Sequence, residues 1–269
     1  MIDRPIGVFD SGVGGLTVVR AMLEVMPEES LLYLGDTARL PYGTKSPDTV
    51  ARYTRRNVAF LVEHGVKAVV VACNTASATA LDGFATPVPT WGVIEPGARA
   101  AVAVARHRVG VIGTESTIAS GVYPRTIARL RPELVVLGRA CPLLVPLVEE
   151  GWEEDEITEL VARRYLEPLL AQAIDTLVLG CTHYPLLTHV LRRVLGEEVV
   201  LVDSAASIAA EMARALGAAG LRARGGQPPR HRLLVTDASP PFARLARRIL
   251  GAGVELERVD VVDRAAASP

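Results

Sequence analysis

The chain has 269 residues, 49% of them hydrophobic and 4% aromatic, with 29 Lys+Arg against 30 Asp+Glu and a formal net charge of −1. That length fits about two domains, and the apolar fraction excludes wholesale disorder and calls for cores of Val, Leu, Ile and Ala. The balanced charge excludes a basic field for a nucleic-acid backbone. Lys45 and Lys67 are the only lysines, so the arginine excess reads as a compositional bias rather than a phosphate patch. Residues 1–5 lack the charged and apolar regions of a signal peptide. No apolar run approaches the ~20 residues that span a bilayer. The three cysteines, Cys73, Cys141 and Cys181, are odd in number and far apart, which points to reduced thiols in the cytoplasm.

In chain order, a strand over residues 6–9 ends at Asp10-Ser11 and a glycine-rich turn, followed by a helix over 17–26. Strands over 31–34 and 68–72 flank a helix over 48–64, and the second of them ends at Cys73-Asn74-Thr75. Glu95-Pro96-Gly97 breaks the chain. Strands follow over 109–112, 134–137, 176–179 and 199–202, with a helix over 155–173 and a helical pattern over 186–195 after Pro185. The last part carries a helix, a strand over 233–235, a helix over 242–250 and a strand near 254–259. Residues 225–229 read as a surface loop and 265–269 as a frayed tail.

The strands are continuously apolar rather than alternating, as in strands buried on both faces of a parallel sheet. The fold class is α/β, with two similar domains. An internal echo supports the duplication: Gly7-Val8-Phe9-Asp10-Ser11 resembles Gly110-Val111-Ile112-Gly113-Thr114, and Val70-Val71-Ala72-Cys73-Asn74-Thr75 resembles Val178-Leu179-Gly180-Cys181-Thr182-His183. The expected division is residues 1–97 with 208–269 as the first domain and 98–207 as the second.

Each half then carries a cysteine at the carboxyl end of a buried strand, where open α/β sheets bind ligands. A helix amino terminus after each cysteine is expected to lower the thiol pKa. Two thiols facing one substrate from opposite sides suit inversion at an acidic carbon: one removes the proton and the other returns one to the opposite face. Asp10 and His183 are the carboxylate and imidazole that would assist them. Cys141, in Ala140-Cys141-Pro142, reads as packing. There is no Cys-x-x-Cys and no metal-ligand spacing among the histidines, so no metal is expected.

These residues carry a resemblance. Gly7–Thr17, Gly35-Asp36 with Pro41-Tyr42-Gly43, Ala72–Ser77, Gly92–Gly97 and Gly180–Pro185 occur in the order found in the cofactor-independent glutamate racemases, within the aspartate/glutamate racemase superfamily. The resemblance implies two α/β domains around one cleft, no pyridoxal phosphate or other cofactor, and D-glutamate supply for peptidoglycan. It implies that Cys73 and Cys181 are the acid/base thiols, assisted by Asp10 and His183. It further implies that Asp10, Ser11, Tyr42, Gly43, Asn74, Thr75, Thr114, Thr117, Thr182 and His183 hold the amino acid, and it places Glu150 near the second cysteine. The implied partner is a small amino acid, with no nucleic acid and no membrane; Val-rich surfaces are compatible with a homodimer.

The alternatives are a racemase of a related amino acid such as aspartate, where an acidic residue is expected in place of His183, and a nucleotide- or phosphate-binding module. The turn Asp10–Gly15 fails the G-x-G-x-x-G pattern and lacks the Gly-Lys-Ser/Thr of a P-loop. A thiol redox protein would need two cysteines within bridging distance.

Overall fold

A computed structural model describes residues 2–81, 83–225 and 228–261. Residues 226–227 of the expected loop and the expected tail at 265–269 lie outside the described residues.

The first half runs β1 (Ile6–Asp10), α1 (Leu16–Val25), β2 (Leu31–Gly35), α2 (Pro47–Glu63), β3 (Ala68–Val71), α3 (Asn74–Ala80) and β4 (Thr90–Gly92). Next come α4 (Ile94–Val104), β5 (Arg108–Gly113), α5 (Glu115–Ala119), α6 (Val122–Leu130), β6 (Val135–Ala140), α7 (Leu144–Glu150), α8 (Glu156–Leu170), β7 (Thr176–Gly180), α9 (Thr188–Leu195) and β8 (Val200–Asp203). The chain closes with α10 (Ser204–Ala218), β9 (His231–Val235), α11 (Pro240–Leu250) and β10 (Leu256–Arg258).

Two sheets form, both parallel, in the orders β10-β9-β2-β1-β3-β4 and β6-β5-β7-β8. The order β2-β1-β3-β4 repeats as β6-β5-β7-β8, so the two echoed strand pairs occupy matching places. β9 and β10 extend the first sheet beyond β2. The strand β4 was not visible in the sequence: it has three residues and follows Pro87 and Pro89, too short a run for an apolar pattern.

Local chemistry sets the element ends. Ser46 caps α2 by accepting from Thr49 N, with Pro47 in the first turn. Asp203 caps α10 in the same way, and Ser239 caps α11. α1 packs on α10, α10 on α4, and α11 on α7. These contacts join the sheets through one apolar core that includes Leu16, Met22, Tyr184, Leu187, Ile208 and Met212. Each such side chain contributes about 1.5–3 kcal/mol on burial, which fixes the halves against each other along the edge of the cleft.

Candidate active site

Cys73 leaves β3 and caps α3, its sulfur accepting from Ala76 N at 3.5 Å. Its thiol donates to Ser11 Oγ at 3.5 Å. The lowered pKa expected of this cysteine is overturned. Burial, and then the Asp10 carboxyl, push the Cys73 thiol up to about 12, because removal from water disfavours the thiolate more than the helix end favours it.

Asp10 ends β1 and is fully buried. Its Oδ2 accepts from Gly12 N and Gly15 N, both at 3.0 Å, while Oδ1 has no hydrogen-bond partner among the described residues. The glycine-rich turn therefore spends these two N–H groups on the chain's own carboxylate, where a phosphate-binding loop would offer them to a ligand. Burial raises the Asp10 pKa against these bonds and the charge of His183. A methyl group on Gly15 would stand 2.3 Å from Asp10 Cβ, so the turn closes on the carboxylate only with glycine there.

Cys181 follows β7 directly, and the chain turns through a short 3-10 segment, Tyr184–Leu187, before α9. The helical pattern expected over 186–195 is thus 3-10 up to Leu187 and α-helical from Thr188. His183 Nδ1 lies 3.9 Å from Cys181 Sγ, and His183 Nε2 lies 3.1 Å from Glu149 Oε1. Burial opposes a charge on His183, yet the Cys181 and Glu149 contacts outweigh it and push the imidazole up to about 10. The carboxylate that reaches the second cysteine's histidine is therefore Glu149, which lines the cavity, whereas Glu150 is exposed. On α7, Val145 and Glu149 are four residues apart and both line the cleft, as the 3.6-residue period dictates.

Between the halves lies a cavity of about 320 Å³ lined by both Cys73 and Cys181. Ser11, Tyr42, Gly43, Asn74, Thr75, Thr114, Thr182 and His183 line it as well. Thr75, Thr114 and Thr117 form a triangle of hydroxyls across the cleft, with Oγ1 separations of 2.9, 3.2 and 2.9 Å. Thr117 stands behind the wall in this triangle, as Asp10 does behind Cys73. The Tyr42 hydroxyl turns away from the cavity and donates to Asp36 Oδ2 at 2.5 Å. Asp36 also accepts from Asn57 Nδ2, Arg39 and Thr236 Oγ1. Cys141 is fully buried in the apolar core.

Among the described lining residues none is Lys or Arg. A small anionic ligand would be held by hydroxyl and amide donors, with the His183 imidazolium as the local positive charge. Among the described residues no group of three or more His, Cys, Asp or Glu could hold a metal ion. No helix among them is long and apolar enough to cross a membrane.

Residues 6–213 match the family model described as Asp/Glu/Hydantoin racemase. A glutamate racemase of Geobacter metallireducens is 52% identical over 251 residues, covering 92% of this chain and 93% of that protein. The crystal structure of a glutamate racemase isoform from Bacillus anthracis superposes with a TM-score of 0.93 at 41% identity, covering 97% of this chain and 98% of that one. A glutamate racemase from Francisella tularensis, crystallised with D-glutamate, superposes with a TM-score of 0.91 at 36% identity, covering 97% of this chain and 99% of that one.

Proposed function

The chain belongs to the Asp/Glu/Hydantoin racemase family, and we propose that it interconverts L- and D-glutamate by proton transfer between two thiols. The observation that carries this reading is that Cys73 and Cys181, from matching strand ends of the two sheets, line one cavity. Glutamate as substrate is supported by the glutamate racemases that match over nearly the whole chain.

The proton balance is closed by the enzyme itself. One sulfur, as thiolate, takes the Cα proton and becomes a thiol; the resulting carbanion takes a proton from the other thiol on the opposite face, which becomes the thiolate. The reverse reaction exchanges the roles. Cys73 is held as a thiol by burial and Asp10, whereas Cys181 has the His183 charge beside it. The resting site is therefore asymmetric, with its acid on one wall and its positive charge on the other. Ser11, Asn74, Thr75, Thr114 and Thr182 would hold the carboxylates and the ammonium group, and Asp10 and His183 would manage the protons behind each sulfur. No step in this scheme calls for a cofactor.

D-glutamate made this way would enter peptidoglycan synthesis in the cytoplasm, a placement supported by three unpaired cysteines. The test is to incubate purified protein with L- or D-glutamate in heavy water and follow optical rotation and deuterium at Cα. Both enantiomers should converge on the racemate, with deuterium entering at Cα. A failure to racemise glutamate, or faster racemisation of aspartate in the same assay, overturns the reading.

A further inference from the structure

Asn74 follows Cys73 directly, and both polar ends of its buried side chain are engaged by residues of the second half. Tyr123, on α6, has its hydroxyl 2.8 Å from Asn74 Oδ1. Asn74 Nδ2 lies 3.3 Å from Ser204 Oγ at the start of α10. Ser204 Oγ lies 3.0 Å from the main-chain oxygen of Leu179 in β7.

The direction of each bond follows from what the groups can donate. A main-chain carbonyl only accepts, so the single proton of the Ser204 hydroxyl goes to Leu179. The Ser204 oxygen must then accept, and only the NH2 end of Asn74 can donate to it. That turns the amide oxygen toward Tyr123, which donates its phenol proton. Burial raises the Tyr123 pKa above its usual value, so the phenol keeps that proton. The result is a one-way chain of hydrogen bonds from the residue after Cys73 to the strand that ends beside Cys181.

The neighbouring glycine agrees with this arrangement. A methyl group on Gly97, in α4, would come within 3.3 Å of the Tyr123 hydroxyl and 3.8 Å of Ser204 Cβ. The Glu95-Pro96-Gly97 motif thereby keeps room for the phenol. Asn74 also lines the cavity, and its Nδ2 carries a second proton beyond the one given to Ser204.

We infer that Tyr123 and Ser204 are positioning residues that fix the Asn74 amide so that its second N–H donates to a substrate carboxylate, and that they hold the Cys73 and Cys181 strand ends in register. The inference rests on the racemase reading. Without Tyr123 and Ser204 the amide can flip, replacing a donor at the cavity wall with an acceptor that a carboxylate repels.

The experiment is a double-mutant cycle on the full chain, with KM and kcat for glutamate and Tm recorded for Tyr123→Phe, Ser204→Ala, Asn74→Ala and the pairwise combinations with Asn74→Ala. Each hydroxyl deletion should raise KM about tenfold, the scale of a buried polar group left unpaired, with a smaller change in kcat. In the Asn74→Ala background either deletion should add less than about twofold, because residues that act through one partner are not additive. An unchanged KM in Tyr123→Phe, or a full effect that persists in the Asn74→Ala background, overturns the inference. Should Tyr123→Phe not fold, the Ser204→Ala cycle decides by the same criteria. Wild-type racemisation in the same assay tests the racemase reading separately.

Discussion

Glu149 backs His183: its Oε1 lies 3.1 Å from Nε2, while the other ring nitrogen faces Cys181. With these partners the imidazole keeps its proton to about pH 10, so at neutral pH it is a cation beside the second thiol. Removing the Glu149 charge takes away one of the contacts that favour the protonated ring. Glu149→Gln should therefore lower the His183 pKa and move the alkaline limb of kcat/KM down by about one pH unit or more. Glu150→Gln, one residue further and exposed, should leave the limb in place. The pH–rate profiles of both variants check this, and a profile unmoved by Glu149→Gln would sink it.

The two thiols should be separable by isotope exchange. Each reaches only one face of Cα, so loss of either one ends racemisation; general acid–base groups contribute about 10²–10⁴-fold. The remaining thiol still has access to one enantiomer. Cys73→Ser and Cys181→Ser should thus each exchange the Cα proton of a single enantiomer in heavy water, and the two variants should choose opposite ones. NMR of Cα deuteration reads this out. Both variants exchanging the same enantiomer, or either retaining full racemisation, argues against thiols on opposite walls.

Tyr42 should prove structural through its hydroxyl. That group is spent on Asp36, which also gathers Asn57, Arg39 and Thr236 and so anchors the segment carrying Gly43 to the cavity wall. Tyr42→Phe leaves one acceptor of a buried carboxylate short of a donor, at about 1–3 kcal/mol. At roughly 2–4 °C per kcal/mol for a chain of this size, Tm should drop by several degrees. KM should change by less than about threefold, within 1 kcal/mol. Calorimetry beside kinetics separates the two effects, and a large rise in KM with Tm unchanged would return the hydroxyl to the substrate.

The sequence shows the architecture clearly because the strands are buried on both faces and therefore continuously apolar, and the echo of the Asp10 and Cys73 segments at Gly113 and Cys181 marks the repeated strand order. Ten of the residues named from the motifs line the cavity, because strand ends deliver their next residues to the same edge of a parallel sheet. What sequence did not show was side-chain direction. The Tyr42 hydroxyl points inward because Asp36 needs a donor, and Glu149 rather than Glu150 meets His183 because of its angle on α7. Tyr123 and Ser204 carry no chemical motif; their place depends on how α6 and α10 pack behind Asn74. The raised Cys73 pKa likewise depends on burial, which the sequence pattern at a helix start does not measure.

Gly14 should be as intolerant of substitution as either cysteine, for a packing reason. A methyl group there would lie 2.4 Å from both His183 Nδ1 and Thr182 Oγ1. The ring cannot simply move aside, since Glu149 holds its far nitrogen and it is buried. The turn cannot retreat either: the single proton of the Thr17 hydroxyl is shared between Gly14 O at 2.8 Å and Thr182 O at 3.0 Å, tying the first half to the second. Gly14→Ala must then push the two turns apart, at about 1–3 kcal/mol for overpacking, and carry His183 away from Cys181. Tm should fall by roughly 2–12 °C on the scaling of about 2–4 °C per kcal/mol. Because the displaced group manages protons, kcat should fall by more than KM rises. Gly217→Ala is the matched comparison, since a methyl there meets only Arg222 Cδ at 4.0 Å, and it should leave both kcat and KM unchanged. Wild-type kcat in Gly14→Ala would show that the contact between these turns does not set the position of His183.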